Sequence, residues 1–169
     1  MNNQIKIRTA KDKKDIEVLA ALAREIWTEH YTPIIGVQQV EYMLDKFQSE
    51  EAMSSQINSE GYTYYMAFFK GKLAGYLSIK PDKTAGVVFL SKLYVEKSYR
   101  RVGIAKEFIN MLKGIYHKPQ FNSIWLTVNK YNKGSIDAYK RLGFEIVDEM
   151  VTDIGNGFVM DDYKMSMEL

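Results

Sequence analysis

The sequence predicts a mixed α/β fold, α+β in its arrangement, and three observations predict it. Apolar residues recur at helical spacing through much of residues 12–58. From residue 62 to residue 95 the chain instead carries aromatic and β-branched runs divided by turn residues. After that, a long helical stripe and a short helix alternate with strand-like segments. We therefore expect helices first and, later, helices between the strands of a largely antiparallel sheet.

The first sixty residues predict one short strand and three helices. Apolar and polar residues alternate at residues 5–7, as in a strand, and a helix follows over residues 12–29. Pro33 and Gly36 then supply a break between residues 30 and 37. A second helix is predicted by the apolar spacing of Val40, Met43, Leu44 and Phe47. Ser49, followed by two acids, predicts the N-cap of a third helix.

The rest of the chain predicts six strands and two helices. A helical stripe covers residues 104–115, and a shorter helix with Ile136 and Tyr139 on one face ends at Gly143. A turn at residues 154–157 separates the last two strands. The predicted strands are residues 62–69, 73–79, 87–95, 123–129, 144–152 and 163–169.

Length and composition exclude several classes of protein. The chain has 169 residues, with 23 Lys and Arg, 21 Asp and Glu, and no cysteine. That length fits one domain over residues 1–169, and a net charge of +2 disfavours nucleic-acid binding. The lack of cysteine excludes disulfides and a thiol acyl-enzyme, and with two histidines we expect no metal site. Because no apolar run suggests a signal peptide or a membrane span, we expect a cytoplasmic protein without membrane partners.

A short basic segment lies between a predicted strand and a predicted helix. Residues 97–106 hold four cations and no anion. Free amides and the positive end of the dipole make a helix N-terminus attractive to phosphates. Gly103 would let the backbone approach a pyrophosphate, while Arg100, Arg101 and Lys106 can add charge-assisted hydrogen bonds. A solvated basic loop with an ordinary glycine explains the segment equally well when it is taken alone.

The order of motifs around this segment resembles the GNAT superfamily of N-acetyltransferases. The acetyl-CoA signature of that superfamily, Arg/Gln-x-x-Gly-x-Gly/Ala, is matched at Arg100, Gly103 and Ala105. A second motif, Val-Asn-x-x-Asn followed by Tyr-x-x-x-Gly-Phe, is matched over residues 128–144. Two segments within residues 26–44 resemble the PaiA-type branch, whose members acetylate polyamines. The resemblance implies a mostly antiparallel sheet of about seven strands, with splayed fourth and fifth strands.

The resemblance also implies direct transfer of acetyl from acetyl-CoA to an amine. The pantetheine arm would lie between the splayed strands, with the Tyr94 N–H near the thioester carbonyl and the Tyr139 hydroxyl near the sulfur as proton donor. Residues 101–106 would hold the pyrophosphate. The residues implied to bind acetyl-CoA are Leu93, Tyr94, Val95, Arg100, Arg101, Val102, Gly103, Ile104, Ala105, Lys106, Asn132, Ser135 and Tyr139.

Several of these residues have an alternative structural role. Tyr139 is equally well placed as a core aromatic, and Asn132 as the N-cap of the helix that follows it. The predicted fourth strand lacks the acid that many relatives use as a base, which leaves Glu29 or water to take the proton from the amine. The residues predicted to line an acceptor pocket, or else to pack between helix and sheet, are Trp27, Tyr31 and Tyr42.

Three functions stay open on the sequence alone. The leading one is acetylation of a small primary amine such as a polyamine, and the second is acetylation of an amine on a protein or peptide. The third is a sensor that binds acetyl-CoA without turnover, which the missing strand acid keeps open. Homodimers are common in the superfamily, so a homodimer is an open alternative to a monomer.

Overall fold

One seven-stranded sheet runs through the protein. The structure, a computed structural model, describes residues 4–117 and 119–169. The strand order is β1-β2-β3-β4-β5-β7-β6, and all neighbouring strands are antiparallel except the parallel pair β4 and β5. The strands are β1 (Ile5–Thr9), β2 (Thr63–Phe69), β3 (Lys72–Asp82), β4 (Val87–Val95), β5 (Ser123–Asn129), β6 (Glu145–Gly155) and β7 (Phe158–Glu168). The predicted mixed, mostly antiparallel sheet is confirmed.

Helices cover both faces of this sheet. They are α1 (Lys13–Ile35), α2 (Val37–Phe47), α3 (Glu50–Ser59), α4 (Ile104–Tyr116) and α5 (Lys133–Leu142), and a short 3-10 turn at Lys97–Tyr99 precedes α4. Two predicted helix ends are confirmed. The Ser49 hydroxyl accepts a 3.1 Å hydrogen bond from the Ala52 amide at the start of α3, and Gly143 ends α5 in the left-handed conformation.

The prediction for the end of the first helix was wrong. We expected a break between residues 30 and 37, but α1 continues through Pro33 and ends only at Gly36, whose φ is 85°. A proline removes one hydrogen bond from a helix. The added turns pack Tyr31 and Ile35 against the apolar cluster beneath α2. These tertiary contacts outweigh the local break.

The end of β3 was also predicted too early. We expected the strand to stop at Ile79 and residues 81–86 to form a loop, but β3 continues to Asp82 and includes Pro81. The pairing of β3 with β2 ends at Ile79, so the last residues of β3 pair with β4 alone. A proline is tolerated at such a sheet edge because its missing N–H breaks no ladder.

The final hairpin is longer than predicted. We expected a turn over residues 154–157 and a last strand that begins at residue 163. β6 and β7 instead pair as far as Gly155 and Phe158. The two residues between them, Asn156-Gly157, have φ values of 55° and 78°, which a two-residue hairpin turn requires. Tight turn chemistry therefore extends both strands.

The two faces of the sheet bury separate apolar clusters. Met66 and Tyr76 pack with residues of α1 and α3, whereas the next residues along their strands, Ala67 and Leu77, pack with residues of α4 and α5. This alternation is what the pleat of a strand imposes. A third cluster beneath α2 includes Trp27. Helices α1 to α3 therefore cover one face, and α4 and α5 cover the other.

An ion pair fastens β1 to the start of α1. Arg8 donates two 2.8 Å hydrogen bonds to the Asp15 carboxylate, and the Lys11 amide donates a third, also 2.8 Å long. The hydrogen bonds from Arg8 lower the pKa of Asp15 to about 2, against burial, which acts to raise it. The charged carboxylate is therefore the form that stabilises this junction.

We expect Asp15→Asn to lower the melting temperature by about 2–5 °C at pH 7, because the paired charge is lost. Since the pKa of Asp15 is depressed by folding, the stabilisation is present above pH 4 and disappears as the pH falls towards 2. Thermal unfolding of both proteins between pH 2 and pH 7 measures this. Glu17→Gln, which removes an exposed charge two residues later in α1, should change the melting temperature by about 1 °C or less. An equal loss at pH 2 and pH 7 contradicts the ion-pair explanation.

Candidate active site

β4 and β5 separate in the middle of the sheet. They pair in parallel only at Val87, Val88 and Phe89. β4 then forms a bulge: Leu90 and Lys92 pair with consecutive residues of β3, which leaves Ser91 between them as an extra residue. Such a bulge bends a strand. From there to its end β4 has no strand partner on the β5 side among the residues described. Its backbone groups on that side border a gap, as the resemblance implied.

A cavity of about 700 Å³ opens beside this gap, between the end of β4, the start of α4, and α5. Gly103 precedes α4 with a φ of 98°. The first amides of α4, from Ile104 to Lys106, have no carbonyl partner one turn earlier in the helix. The residues implied to bind acetyl-CoA that line this cavity are Leu93, Tyr94, Val95, Arg100, Arg101, Gly103, Ile104, Ala105, Lys106, Ser135 and Tyr139.

The cations of the basic segment have different environments. Arg100 Nε donates a 3.0 Å hydrogen bond to the Val95 carbonyl, and its guanidinium donates another, also 3.0 Å, to the Glu29 carboxylate. Arg100 therefore fastens the segment to β4 and α1. Arg101 and Lys106 form no ion pair with any residue the structure describes, so their charges are available to a polyanion in the cavity.

Gly103 is favoured by its conformation, and the space in front of it is open. A Cβ atom at this position would meet no atom within 4 Å, so the protein itself leaves room for a side chain there. Its left-handed φ disfavours most other residues. A ligand that approaches the α4 amides would pass through the same open space. The residues at this end of the cavity therefore fit a pyrophosphate.

A smaller cavity of about 280 Å³ adjoins the first and is bordered by α1, α2, β4, β5 and β7. Trp27 and Tyr31 line it, with stacked rings whose centroids lie 4.3 Å apart. Tyr42 does not line it, because its hydroxyl donates a 2.6 Å hydrogen bond to the Ile154 carbonyl. The structure thus brings together two of the three predicted acceptor residues.

The two cavities meet at Tyr139 of α5. The residues that border both are Tyr31, Leu93, Tyr94 and Tyr139. The half-buried Tyr139 ring packs edge-on against Phe144, and its hydroxyl forms no hydrogen bond with the described part of the chain. Burial raises the pKa of Tyr139, and the nearby Tyr31 raises it further. Tyr139 therefore packs in the core as one of its two predicted roles requires, and it also places a protonated hydroxyl at the junction of the cavities.

Asn132 caps α5 and joins it to α1. Its Oδ1 accepts a 3.4 Å hydrogen bond from the Ser135 amide and lies 3.1 Å from Nε2 of His30, while its Nδ2 donates a 3.4 Å hydrogen bond to the Tyr31 hydroxyl. The side chain is buried and borders neither cavity. Val102 also lies outside both and packs against the core.

Glu29 lies beside the basic segment. Its carboxylate is 3.0 Å from Arg100 and 3.9 Å from Lys97. It borders neither cavity. The structure therefore places the candidate base Glu29 with the cations at the end of α1, apart from Trp27 and Tyr31.

Asp162, which the sequence pattern did not single out, borders the smaller cavity. It lies on β7 opposite Asn129 of β5 and is 4% exposed. Its pKa is raised to about 6. Burial is the main cause, the neighbouring Asp161 acts in the same direction, and Lys130 acts in the opposite one. The available signal was an acid within an alternating strand. That signal was hidden because the last strand was expected to begin only at residue 163.

Lys92 is a second buried charge beside the smaller cavity. It is 5% exposed, and its Nζ donates hydrogen bonds to the Phe47 carbonyl at 2.6 Å, to Gln56 Oε1 at 3.0 Å and to the Tyr64 hydroxyl. Burial lowers the pKa of Lys92 to about 7, and Glu60 acts in the opposite direction. The sequence placed this lysine in the fourth strand, but nothing local indicated its burial.

A strand pair that opens beside a helix N-terminus, with two adjoining cavities, is an arrangement suited to a transferase with a phosphate-bearing cofactor. The family model of the Acetyltransferase (GNAT) family matches residues 20–144. The chain belongs to this family of acetyl-CoA-dependent N-acetyltransferases. The resemblance inferred from the two motifs is confirmed.

Known proteins resemble this chain in fold and sequence. The PaiA N-acetyltransferase of Thermoplasma acidophilum, solved in complex with coenzyme A, superposes with a TM-score of 0.80 at 24% identity, over 98% of this chain and 99% of that chain. An uncharacterized N-acetyltransferase of Lactobacillus delbrueckii subsp. lactis is 21% identical over 85% of this chain and 87% of its own. Tyramine N-feruloyltransferase 4/11 of Nicotiana tabacum is 30% identical over 72% of this chain, which spans 52% of that enzyme.

Two further features concern membranes and metals. Over residues 4–117 and 119–169, no helix is both long and apolar enough to cross a membrane. Across the same residues, no three His, Cys, Asp or Glu side chains come together in a group that could hold a metal ion.

We expect Gly103→Asn to weaken acetyl-CoA binding at least tenfold, because its side chain would occupy the open space before the α4 amides. Asparagine tolerates a positive φ better than most residues, so folding should survive. Gly71→Asn is the matched control, since Gly71 also has a positive φ and open space in front of it but lies in the turn between β2 and β3. Titration calorimetry measures both affinities. Equal affinity in the two variants would rule out this position as part of the phosphate site.

Proposed function

We propose that the chain transfers acetyl from acetyl-CoA directly to a small primary amine. The observation that carries the proposal is the meeting of two cavities at the β4–β5 gap, with Tyr139 at the junction. The larger cavity has the cations and free amides that suit a nucleotide cofactor. The smaller one, at about 280 Å³, has the size of a small-molecule site. Direct attack fits a chain without cysteine, which has no thiol to carry the acetyl group.

The larger cavity would hold the cofactor from three sides. The α4 amides, with Arg101 and Lys106, would bind the pyrophosphate. Backbone groups of Leu93 and Val95, unpaired on the side of the gap, would bind the pantetheine arm as a strand partner would. The amide of Tyr94 would polarise the thioester carbonyl. When bound, acetyl-CoA supplies an activated acetyl thioester.

We assign the role of base to Asp162. An ammonium must lose a proton before its nitrogen can attack, and Asp162 is the acid that borders the smaller cavity. Its raised pKa of about 6 leaves it ionised at neutral pH and more basic than an exposed carboxylate. Glu29, by contrast, faces Arg100 and Lys97. Asp162 takes this first proton from the ammonium and passes it to solvent. The nitrogen–carbon bond then forms as the carbon–sulfur bond breaks, and the Asp162 carboxylate takes the second proton that the nitrogen loses.

We assign the role of acid to Tyr139. Its hydroxyl is free of hydrogen bonds to the described residues, and burial keeps it protonated at neutral pH. It borders both cavities, so it can donate its proton to the sulfur that leaves. Solvent then returns a proton to Tyr139, and Asp162 releases one, which balances the reaction.

The cavity size bears on the other two functions considered. A peptide acceptor needs an extended groove, whereas the smaller cavity, between α1, α2 and three strands, has a volume of only about 280 Å³. A sensor without turnover needs no base, whereas Asp162 supplies one in place of the missing acid of β4. Small amines include the polyamines that the PaiA-type resemblance implies. The cytoplasmic location stays a prediction from the sequence.

Release of free CoA tests the proposal and the role of Tyr139 together. With acetyl-CoA and a panel of primary amines, we expect the wild-type chain to release CoA at a rate that depends on the amine. Tyr139→Phe should lower kcat about 10- to 100-fold and leave acetyl-CoA affinity unchanged, because only the proton donor is lost. Tyr131→Phe, an exposed tyrosine near α5, is the control and should behave as wild type. Acetyl-CoA binding without amine-dependent release would favour the sensor.

For Asp162→Asn we expect kcat to fall about 100-fold at pH 7 and the rise of kcat through pH 6 to vanish. Asp161→Asn is the matched control, since it removes the neighbouring acid, which borders neither cavity. It should shift the rise in kcat to lower pH, because the repulsion from Asp161 that helps raise the pKa of Asp162 is gone. Measurement of kcat from pH 5 to pH 9 separates the two variants.

A stability measurement separates catalysis from structure at this position. The pKa of Asp162 is higher in the folded chain than in an unfolded one, so the carboxylate costs the folded state free energy as the pH rises from 4 to 6. Asp162→Asn should therefore raise the free energy of unfolding by about 1–2 kcal/mol at pH 8. Lower stability and lower activity together would indicate a structural role instead.

A further inference from the structure

The charges around the smaller cavity are few. Among the described residues that line it, most are aromatic or aliphatic, and the only charged ones are Asp162 and Lys92. The neutral polar residues of the lining are Gln39, Gln48, Gln56, Ser91, Thr127 and Asn129. Asp162 lies on β7, beyond β5, whereas Lys92 lies on β4, so the two charges are on opposite sides of the gap. A ligand held by Asp162 can thus extend towards a second charge of the opposite sign.

The charge of Lys92 has no carboxylate partner. Its Nζ contacts the Phe47 carbonyl, Gln56 and the Tyr64 hydroxyl, all neutral groups. Within residues 4–117 and 119–169 it forms no salt bridge, and Glu60 is the acid whose charge acts on it. These three contacts hold the ammonium between α2, α3 and β2. Because the pKa of Lys92 is about 7, the side chain carries its charge below that pH, and the ammonium then projects a positive potential without a carboxylate partner into the low-dielectric cavity.

The aromatic residues of the wall contact one another. Trp27 and Tyr31 stack, and the Tyr94 ring meets both at steep angles, with centroids 5.7 Å from Trp27 and 6.3 Å from Tyr31. Trp27 Nε1 is buried and has no hydrogen-bond partner in the described structure. Such a wall favours an apolar or aromatic body. Among the described residues that line the smaller cavity, no acid other than Asp162 could neutralise a second ammonium.

We infer that the acceptor is a monoamine with an uncharged apolar or aromatic body, and that Lys92 selects against diamines and polyamines. This inference rests on the proposed function. Asp162 pairs with the one ammonium that is to be acetylated. A second ammonium further along the molecule meets the Lys92 charge and finds no second acid among the described lining residues, and both facts disfavour it. The polyamine acceptors that the PaiA-type resemblance implies are therefore not the class that this cavity favours.

Two amines of equal size test the inference. Hexylamine and cadaverine have the same number of heavy atoms and differ at one end, where a methyl group replaces an ammonium. At pH 6.5, where Lys92 is mostly charged, we expect the wild-type chain to acetylate hexylamine, and 2-phenylethylamine likewise, with a kcat/KM at least tenfold above that for cadaverine. A cavity indifferent to charge would instead give cadaverine up to a twofold advantage, because either end of it can react.

Lys92→Gln tests the residue itself. Glutamine removes the charge and keeps a donor for the Phe47 carbonyl. We expect the variant to raise kcat/KM for cadaverine at least tenfold while changing that for hexylamine less than threefold. Lys80→Gln is the matched control, since it removes an exposed lysine of β3 outside the cavity, and the ratio should stay at its wild-type value.

The outcomes separate this inference from the proposed function. Turnover of cadaverine equal to or above that of hexylamine by the wild-type chain overturns the inference and leaves the acetyltransferase assignment intact. An unchanged ratio in Lys92→Gln overturns the role of Lys92. Absence of turnover with every amine overturns the proposed function, and the inference with it. If Lys92→Gln fails to fold, the wild-type comparison of the two amines still decides the acceptor class.

Discussion

The interruption of pairing between β4 and β5 is the constraint on which the rest of the site depends. Buried backbone N–H and C=O groups require partners, and a strand that leaves its neighbour loses them along one edge. The extra residue at Ser91 lets β4 remain paired with β3 while its other edge turns from β5. That edge is then available to a ligand with amide groups of its own. Both cavities border this opening, one on each side of Tyr139.

The end of α1 contacts the elements that border both cavities. The turns beyond Glu29, which continue through Pro33, carry His30 and Tyr31 to the Asn132 amide at the start of α5. Arg100, on the segment before α4, reaches the same helix end at Glu29. These contacts join α1 to the start of α5 and to the segment before α4. They therefore fix the residues that border the two cavities relative to one another. A helix that ended at residue 30 would leave both cavities open on this side.

The sequence predicts features that depend on neighbouring residues, such as helix ends. It does not predict which side chains are buried by contacts with distant elements. Ser49 and Gly143 act on their own helix ends, so their roles follow from neighbouring residues alone. The motif around Gly103 was readable because its geometry is contained in one turn. The local signal for Asp162 was hidden because β7 begins well before residue 163, and the burial of Lys92 depends on contacts with α2, α3 and β2 that its neighbours in sequence do not indicate. The path of α1 through its proline was missed for the same reason, since tertiary packing outweighs a local break.

Burial disfavours the charged forms of Asp162 and Lys92, the two charged residues described in the lining of the proposed acceptor cavity. Desolvation acts to neutralise Asp162 by raising its pKa and to neutralise Lys92 by lowering its pKa. One ammonium beside Asp162 compensates the first cost, because opposite charges favour the ionised form. A second ammonium does not offset the desolvation cost of the Lys92 charge, and it repels that charge. Burial therefore makes Asp162 basic enough to take a proton, while the charge that Lys92 keeps below its pKa of about 7 makes the cavity selective for a single positive charge.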